Sequence, residues 1–226
     1  MRVIIIGMLV FDRLTQLDLT APLEVFSRYP HVKLHIISHS LEPVQTESGF
    51  RFLPDTTFEN CPSKLDVIFI PGGPGIIDVM KDDRYMNFIR STADASYITS
   101  VCTGSILLAA AGLLNGYKAT THWLSIDLLK RFGINAINER VVIDRNRITG
   151  SGVTSGIDFA LTLAAVLFGE EVAKEIQLLI EYDPQPPFRS GSPTVADENL
   201  VAKVKMQKTH QQLLRLNEIN KFLDKH

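Results

Sequence analysis

Short aliphatic and β-branched runs alternate with helical patterns along almost the whole of this chain, and that alternation most narrows its architecture. Val3–Val10, Val32–Ser38, Asp66–Ile70 and Tyr97–Val101 read as strands. Helical patterns fall around Pro22–Arg28, near Asp82–Ala95, and at Ser105–Leu114, Trp123–Phe132, Thr154–Phe168 and Glu170–Glu181. Glu139–Ile143 and Arg147–Thr149 flank Asp144-Arg-Asn146 and read as a hairpin. Alternation of this kind predicts a single α/β domain over residues 1–226, a mainly parallel sheet covered by helices on both faces. Ligands of such sheets sit outside the carboxyl ends of the strands. The segments to inspect are therefore those just after strands: the 11–18 loop, Pro71–Gly75 and Cys102.

Of these, the richest is Tyr97-Ile-Thr-Ser-Val-Cys-Thr-Gly-Ser-Ile106. A buried strand delivers Cys102 to a sharp turn, Gly104 stands two residues on, and a helix apolar on every side starts at once, stopping at Asn115-Gly116. This is the layout of a nucleophile elbow with cysteine in place of serine. The unpaired N–H groups at the helix start and the positive end of its dipole are expected to favour thiolate. The plain alternative is a small buried core cysteine.

A thiolate needs a proton partner. Pro22 marks the start of the first helix, and Asp18 precedes it between Leu17 and Leu19, where burial would raise a carboxyl pKa. Glu24, inside the first turns, suits a charge complementing the helix dipole, so Asp18 is the preferred acid/base. Pro71-Gly-Gly-Pro-Gly75 lets Gly72 and Gly73 bring backbone N–H groups close to a ligand, or is simply a tight turn. Thr103 supplies the elbow N–H and a hydroxyl, or caps the helix. His122 and Trp123, at another strand-to-helix junction, either orient substrate or are structural. His31, His35 and His39 fall on one face of a strand, too widely spaced to converge on one metal ion.

Composition removes several classes. A formal net charge of −2 gives no electrostatic reason for nucleic acid, and no apolar run reaches the ~20 residues of a membrane span. The apolar start, Met1–Val10, lacks an Ala-x-Ala cleavage site and reads as a strand rather than a signal peptide. Two cysteines, Cys61 and Cys102, make no disulfide framework, which suits a reducing cytoplasm. Tyr182–Pro193 reads as an ordered surface loop before a final helix, Val195–Asp224, within a C-terminal segment 195–226. Its mixed charge implies a solvated or subunit-contacting face.

Taken together, Leu17-Asp-Leu-Thr-Ala-Pro22, Ile70-Pro-Gly-Gly73, Ser100-Val-Cys-Thr-Gly-Ser105, Ala119-Thr-Thr-His-Trp123, Glu139-Arg-Val-Val142, Gly156-Ile-Asp-Phe-Ala-Leu161 and Glu181-Tyr-Asp-Pro-Gln-Pro-Pro-Phe188 resemble the ThiJ/PfpI group of the class I glutamine amidotransferase-like superfamily. Within that group they resemble the isonitrile hydratases, over nearly the whole chain. The resemblance implies a three-layer, flavodoxin-like sandwich, a homodimer, no cofactor, and hydration of a small apolar isonitrile to an N-substituted formamide, a lyase activity. It places the nucleophile on Cys102, with Asp18 and Thr103 assisting, and suggests apolar walls from Phe11, Ile76, Trp123 and Phe188. The Cys-Thr-Gly and Thr-Thr-His-Trp blocks also resemble sensor domains of AraC-type regulators, which carry a further DNA-binding domain for which this chain has no room. PfpI-type peptidases place His directly after the cysteine; Thr103 stands there, so no dyad of adjacent residues is available. A glyoxalase- or deglycase-like enzyme acting on α-oxoaldehydes, and a sensor without turnover, remain alternatives.

Overall fold

A computed structural model describes residues 2–225. The strands are β1 (Ile4–Leu9), β2 (Val32–Ser38), β3 (Val44–Gln45), β4 (Arg51–Phe52), β5 (Thr56–Thr57), β6 (Val67–Ile70), β7 (Tyr97–Val101), β8 (Lys118–Ala119), β9 (Asn135–Ala136), β10 (Val141–Asp144) and β11 (Arg147–Gly150). The helices are α1 (Gln16–Phe26), α2 (Ile76–Lys81), α3 (Asp83–Ser91), α4 (Gly104–Ala110), α5 (Ile126–Lys130), α6 (Ser155–Phe168), α7 (Glu170–Leu179) and α8 (Glu198–Leu223). Seven strands form one sheet in the order β10-β11-β7-β6-β1-β2-β5, parallel except for the β10–β11 hairpin. The fold is the flavodoxin-like α/β sandwich. All residues of β6 and β11 are buried, as strands covered on both faces must be.

The helices form two sets that pack among themselves: α1, α6 and α7, and α2, α3, α4, α5 and α8. Between the first set and the sheet, Phe26, Phe69 and Phe159 meet with ring centroids 5.5–6.2 Å apart, an aromatic layer that locks α1 and α6 to β6. The chain runs outward from β1 through β2 to β5, then returns to β6 on the other side of β1. This reversal opens a crevice at the carboxyl ends of β1, β6 and β7. Backbone hydrogen bonds draw the flanking loops together there: Thr15 N–H to Gly72 O at 2.9 Å, Gly75 N–H to Arg13 O at 3.1 Å, and Glu47 N–H to Leu14 O at 3.1 Å.

Several expected boundaries shift: the final helix runs over Glu198–Leu223 rather than Val195–Asp224, α3 ends at Ser91 rather than Ala95, and β10 starts at Val141 rather than Glu139. Helix α1 starts at Gln16 rather than Pro22, so Asp18 lies inside its first turn. Pro22 sits within the helix and removes an N–H from the ladder; its ring lies against Gly156 of α6, where an added Cβ would come within 2.9 Å. Helix α4 ends at Ala110, because Gly112 turns the chain at φ +78° and Leu113 N–H reaches back to Leu108 O. The pattern over Trp123–Phe132 divides into a 3-10 turn, Trp123–Ser125, and α5. The two-residue strands β3, β4, β5, β8 and β9, and helix α2, carry too little local pattern to stand out in sequence.

Candidate active site

Cys102 stands where β7 passes into α4, with its backbone in the left-handed region at φ 56°. Such a conformation costs a non-glycine residue roughly 1–3 kcal/mol and persists only where neighbours impose it. Several do. Cys102 N–H donates to Gly150 O at 3.1 Å, and the Thr121 and Ser105 hydroxyls donate to the Cys102 carbonyl at 2.9 and 3.2 Å. Gly104 completes the elbow: a Cβ there would lie 2.2 Å from Ile70 O and 2.8 Å from Pro71 O. Glycine is required for α4 to leave the sheet so close to β6.

Asp18 is fully buried and faces the thiol. Its Oδ2 accepts the Gly72 N–H at 3.0 Å, while Oδ1 is buried without a hydrogen-bond partner. Burial pushes the carboxyl up to about 7 against the lowering effects of Cys102 and the Gly72 N–H. The Cys102 thiol departs from the expected thiolate preference. Burial and the adjacent Asp18 push it well above the ordinary thiol range, outweighing the Thr103 N–H and Arg215, which pull it down. The helix start does present a donor to sulfur, but a dry site next to a carboxyl opposes a second charge. The thiol therefore keeps its proton near neutrality while the carboxyl exchanges its own around pH 7, so the one-proton state that an acid/base–nucleophile couple needs forms as Asp18 ionises.

Thr103 adopts a clamping position. Its Oγ1 accepts the Gly73 N–H at 3.0 Å and lies 3.4 Å from Gly73 O. The Gly72 and Gly73 N–H groups are therefore taken up by Asp18 and Thr103 instead of pointing at a ligand, unlike the donor role read from the glycine-rich turn. A Cβ on Gly72 would fall 2.5 Å from Thr103 N and 2.9 Å from Asp18 Oδ2, so the turn fits between the two side chains only as glycine. His122 Nδ1 accepts Leu124 N–H at 3.3 Å and caps the 3-10 turn. Burial, aided by Arg215 and Lys208, lowers its pKa to about 4. The ring is neutral at pH 7 with its proton on Nε2.

Trp123 lines a groove of about 620 Å³ with Leu124, Leu128, Pro193, Leu213 and Leu216. The lining of this groove includes Trp123 but not Cys102, Asp18 or Thr103; of the other apolar walls suggested by sequence, Phe11 and Ile76 are core residues and Phe188 is 75% exposed. Sequence reasoning missed two charged groups. Arg215 of α8 is 8% exposed and donates to Gly73 O at 3.5 Å. Glu47, in the β3–β4 turn, accepts the Thr15 hydroxyl at 2.7 Å. The one sequence signal for Arg215 is its phase, four residues before the fully buried Ile219. Nothing local marks Glu47. Among the described residues no group of three His, Cys, Asp or Glu side chains could hold a metal ion. No helix among them is long and apolar enough to cross a membrane.

A buried cysteine at an elbow, set against a buried carboxyl at the crevice of a flavodoxin-like sheet, defines a class of α/β proteins. The chain belongs to the DJ-1/PfpI family, whose model matches residues 3–166. Over 197 residues it is 51% identical to isonitrile hydratase of Pseudomonas putida, covering 87% of this chain and 86% of that protein. It is 31% identical to the HTH-type transcriptional regulator GbdR of Pseudomonas aeruginosa, spanning 79% of this chain but 50% of the regulator. The crystal structure of a ThiJ/PfpI family protein from Pseudomonas syringae superposes with a TM-score of 0.94 at 40% identity, covering 97% of this chain and 91% of that one.

Proposed function

We propose that the protein is an isonitrile hydratase, converting R–NC and water to an N-substituted formamide with Cys102 as nucleophile and Asp18 as acid/base. The observation that carries this reading is the Asp18 carboxyl set against the Cys102 thiol with Oδ1 unengaged, in a chain 51% identical to an isonitrile hydratase.

The isonitrile carbon accepts a proton and then behaves as an electrophile. Asp18 takes the thiol proton and passes it to that carbon as Sγ bonds to the same atom, giving R–N=CH–S–Cys102 with Asp18 ionised. Water adds to the thioimidate carbon. Asp18 accepts a proton from that water and delivers it to nitrogen. Collapse of the adduct forms the formyl C=O and expels sulfur, and the hydroxyl proton returns through Asp18 to the thiol. One isonitrile and one water give one formamide, and the enzyme is unchanged. Thr103 and Gly73 hold the turn that carries Asp18's hydrogen-bond donor. The protein works in this reading as a cytoplasmic homodimer. Two free cysteines and the exposed Leu178, Leu179 and Met206 support that part, and sedimentation velocity tests it.

Purified protein given cyclohexyl isocyanide is expected to form N-cyclohexylformamide, and both Cys102→Ala and Asp18→Asn are expected to abolish it with folding intact by circular dichroism. No formamide from the unmodified protein would overturn the reading. Lactate from methylglyoxal would then mark the α-oxoaldehyde chemistry, and ligand binding that survives Cys102→Ala would mark a sensor.

A further inference from the structure

The C-terminal helix carries a charge into the site. Arg215 of α8 is buried yet forms no ion pair with any carboxylate among the described residues. The one side-chain hydrogen bond it makes among the described residues, at 3.5 Å, goes to the Gly73 carbonyl, beside which the Thr103 hydroxyl also lies. A guanidinium has five N–H donors, and burying one with so few partners is costly unless another charge compensates. Thr103 follows Cys102 directly, so the Gly73 carbonyl holds the guanidinium beside the elbow, and the charged or ionisable groups whose electrostatics couple to it are Cys102, Glu47 in the β3–β4 turn, and His122 ahead of the 3-10 turn. Lys208, also on α8, acts on His122, and Asp18 on α1 lies against Cys102. Glu47 is bonded to Thr15, and His122 is neutral. The sulfur is the group at which negative charge comes and goes.

We propose that Arg215 is a positioning residue, delivered by α8 to the Gly73 carbonyl so that its positive charge stabilises the Cys102 thiolate as it forms and again as it leaves. The proposal rests on Cys102 being the nucleophile. Arg215 lies outside residues 3–166, so the contribution comes from the C-terminal helix and not from the part of the chain that matches the family model. Helix α8 has independent anchors that keep it docked when Arg215 changes: Ile219 is fully buried, Lys81 pairs with Glu218, and Arg131 donates to Asn220 at 2.9 Å.

The test is the pH profile of Cys102 alkylation by iodoacetamide, with Cys61→Ser as background, for the unmodified protein and for Arg215→Met, Arg215→Gln and Arg215→Lys. Loss of an opposite charge near an ionising group moves its midpoint by about one pH unit or more. The Met and Gln variants are expected to shift the alkylation midpoint upward by at least that much. At a fixed pH below the midpoint the thiolate fraction falls about tenfold, and the higher intrinsic nucleophilicity of a more basic thiolate returns about threefold of the rate. Arg215→Lys should restore the midpoint. With cyclohexyl isocyanide as substrate, the Met and Gln variants should lower kcat with KM little changed, since the charge acts on sulfur. A midpoint unchanged in a folded Met or Gln variant would overturn the proposal; Gln keeps the test if Met fails to fold. Alkylation needs no isonitrile, so failure of the hydratase reading shows separately as absence of formamide from the unmodified protein.

Discussion

Asp18 illustrates how burial makes a side chain useful and costly at once. Its folded pKa of about 7 exceeds the ordinary value of 3.8, so between those pH values the folded protein binds more protons than the unfolded chain. Stability from this group is then lost as pH rises through the window. His122 acts in the opposite sense: its pKa is lowered from 6.5 to about 4, so its contribution grows as pH rises from 4 to 6.5. The two slopes oppose each other below pH 6.5. Asp18→Asn removes the first, and should stabilise the protein by about 2–4 kcal/mol at pH 8 and far less at pH 4.5, while abolishing turnover. Urea denaturation at the two pH values measures this; equal stability changes would show that Asp18 is not the titrating group. Activity should follow the same group. The one-proton state of the Asp18–Cys102 pair forms as Asp18 ionises, so kcat/KM is expected to rise through pH 7, and a profile flat from pH 5 to 8 would contradict it. At this scale sequence was informative where chemistry is local: Cys102, Asp18 and Thr103 were each marked by neighbours. Arg215 and Glu47 come from segments distant in the chain and carry no such mark.

The elements show a similar division. Strands β2 and β7 have the ends their patterns predict, because β-branched runs bounded by turns leave little freedom. Helix α1 does not, because what starts it is pairing between loops. Thr15 N–H is satisfied by Gly72 O, which allows the helix to begin ahead of Pro22 and brings Asp18 to the sulfur. The elbow depends on close approach in the same way. Gly104→Ala places a methyl against the carbonyls of Ile70 and Pro71, contacts that only backbone movement relieves. Such overpacking costs on the order of 2 kcal/mol or more, and the displaced Cys102 should lose activity beyond what the stability loss explains. Thermal unfolding together with turnover at a temperature well below the transition separates the two effects. A variant of native stability and full activity would show that α4 tolerates a wider separation.

For the whole molecule, α8 closes the crevice that the sheet opens. Cys102 is only 5% exposed although it follows a strand end at the switch point, and Arg215 of α8 is buried against the Gly73 carbonyl beside the elbow. Ile219→Ala removes a fully buried anchor of α8, and a large-to-small change of this kind costs about 3 kcal/mol. Loosening of α8 is expected to raise hydrogen exchange across residues 198–223 and to speed alkylation of Cys102 at pH values above its midpoint, where access and not ionisation sets the rate. Unchanged exchange would show that other contacts hold the helix. The sequence by itself determined the alternating α/β plan and the cysteine elbow, because each rests on periodicity or on the stereochemistry of adjacent residues, and it marked Asp18 without placing it beside the sulfur. Tertiary structure alone decided that burial raises both the Asp18 carboxyl and the Cys102 thiol, that the glycine N–H groups hold Asp18 and Thr103, and that an arginine from the last helix reaches the Gly73 carbonyl. Those outcomes depend on desolvation and on distances between segments far apart in the chain, and neither is written in local pattern.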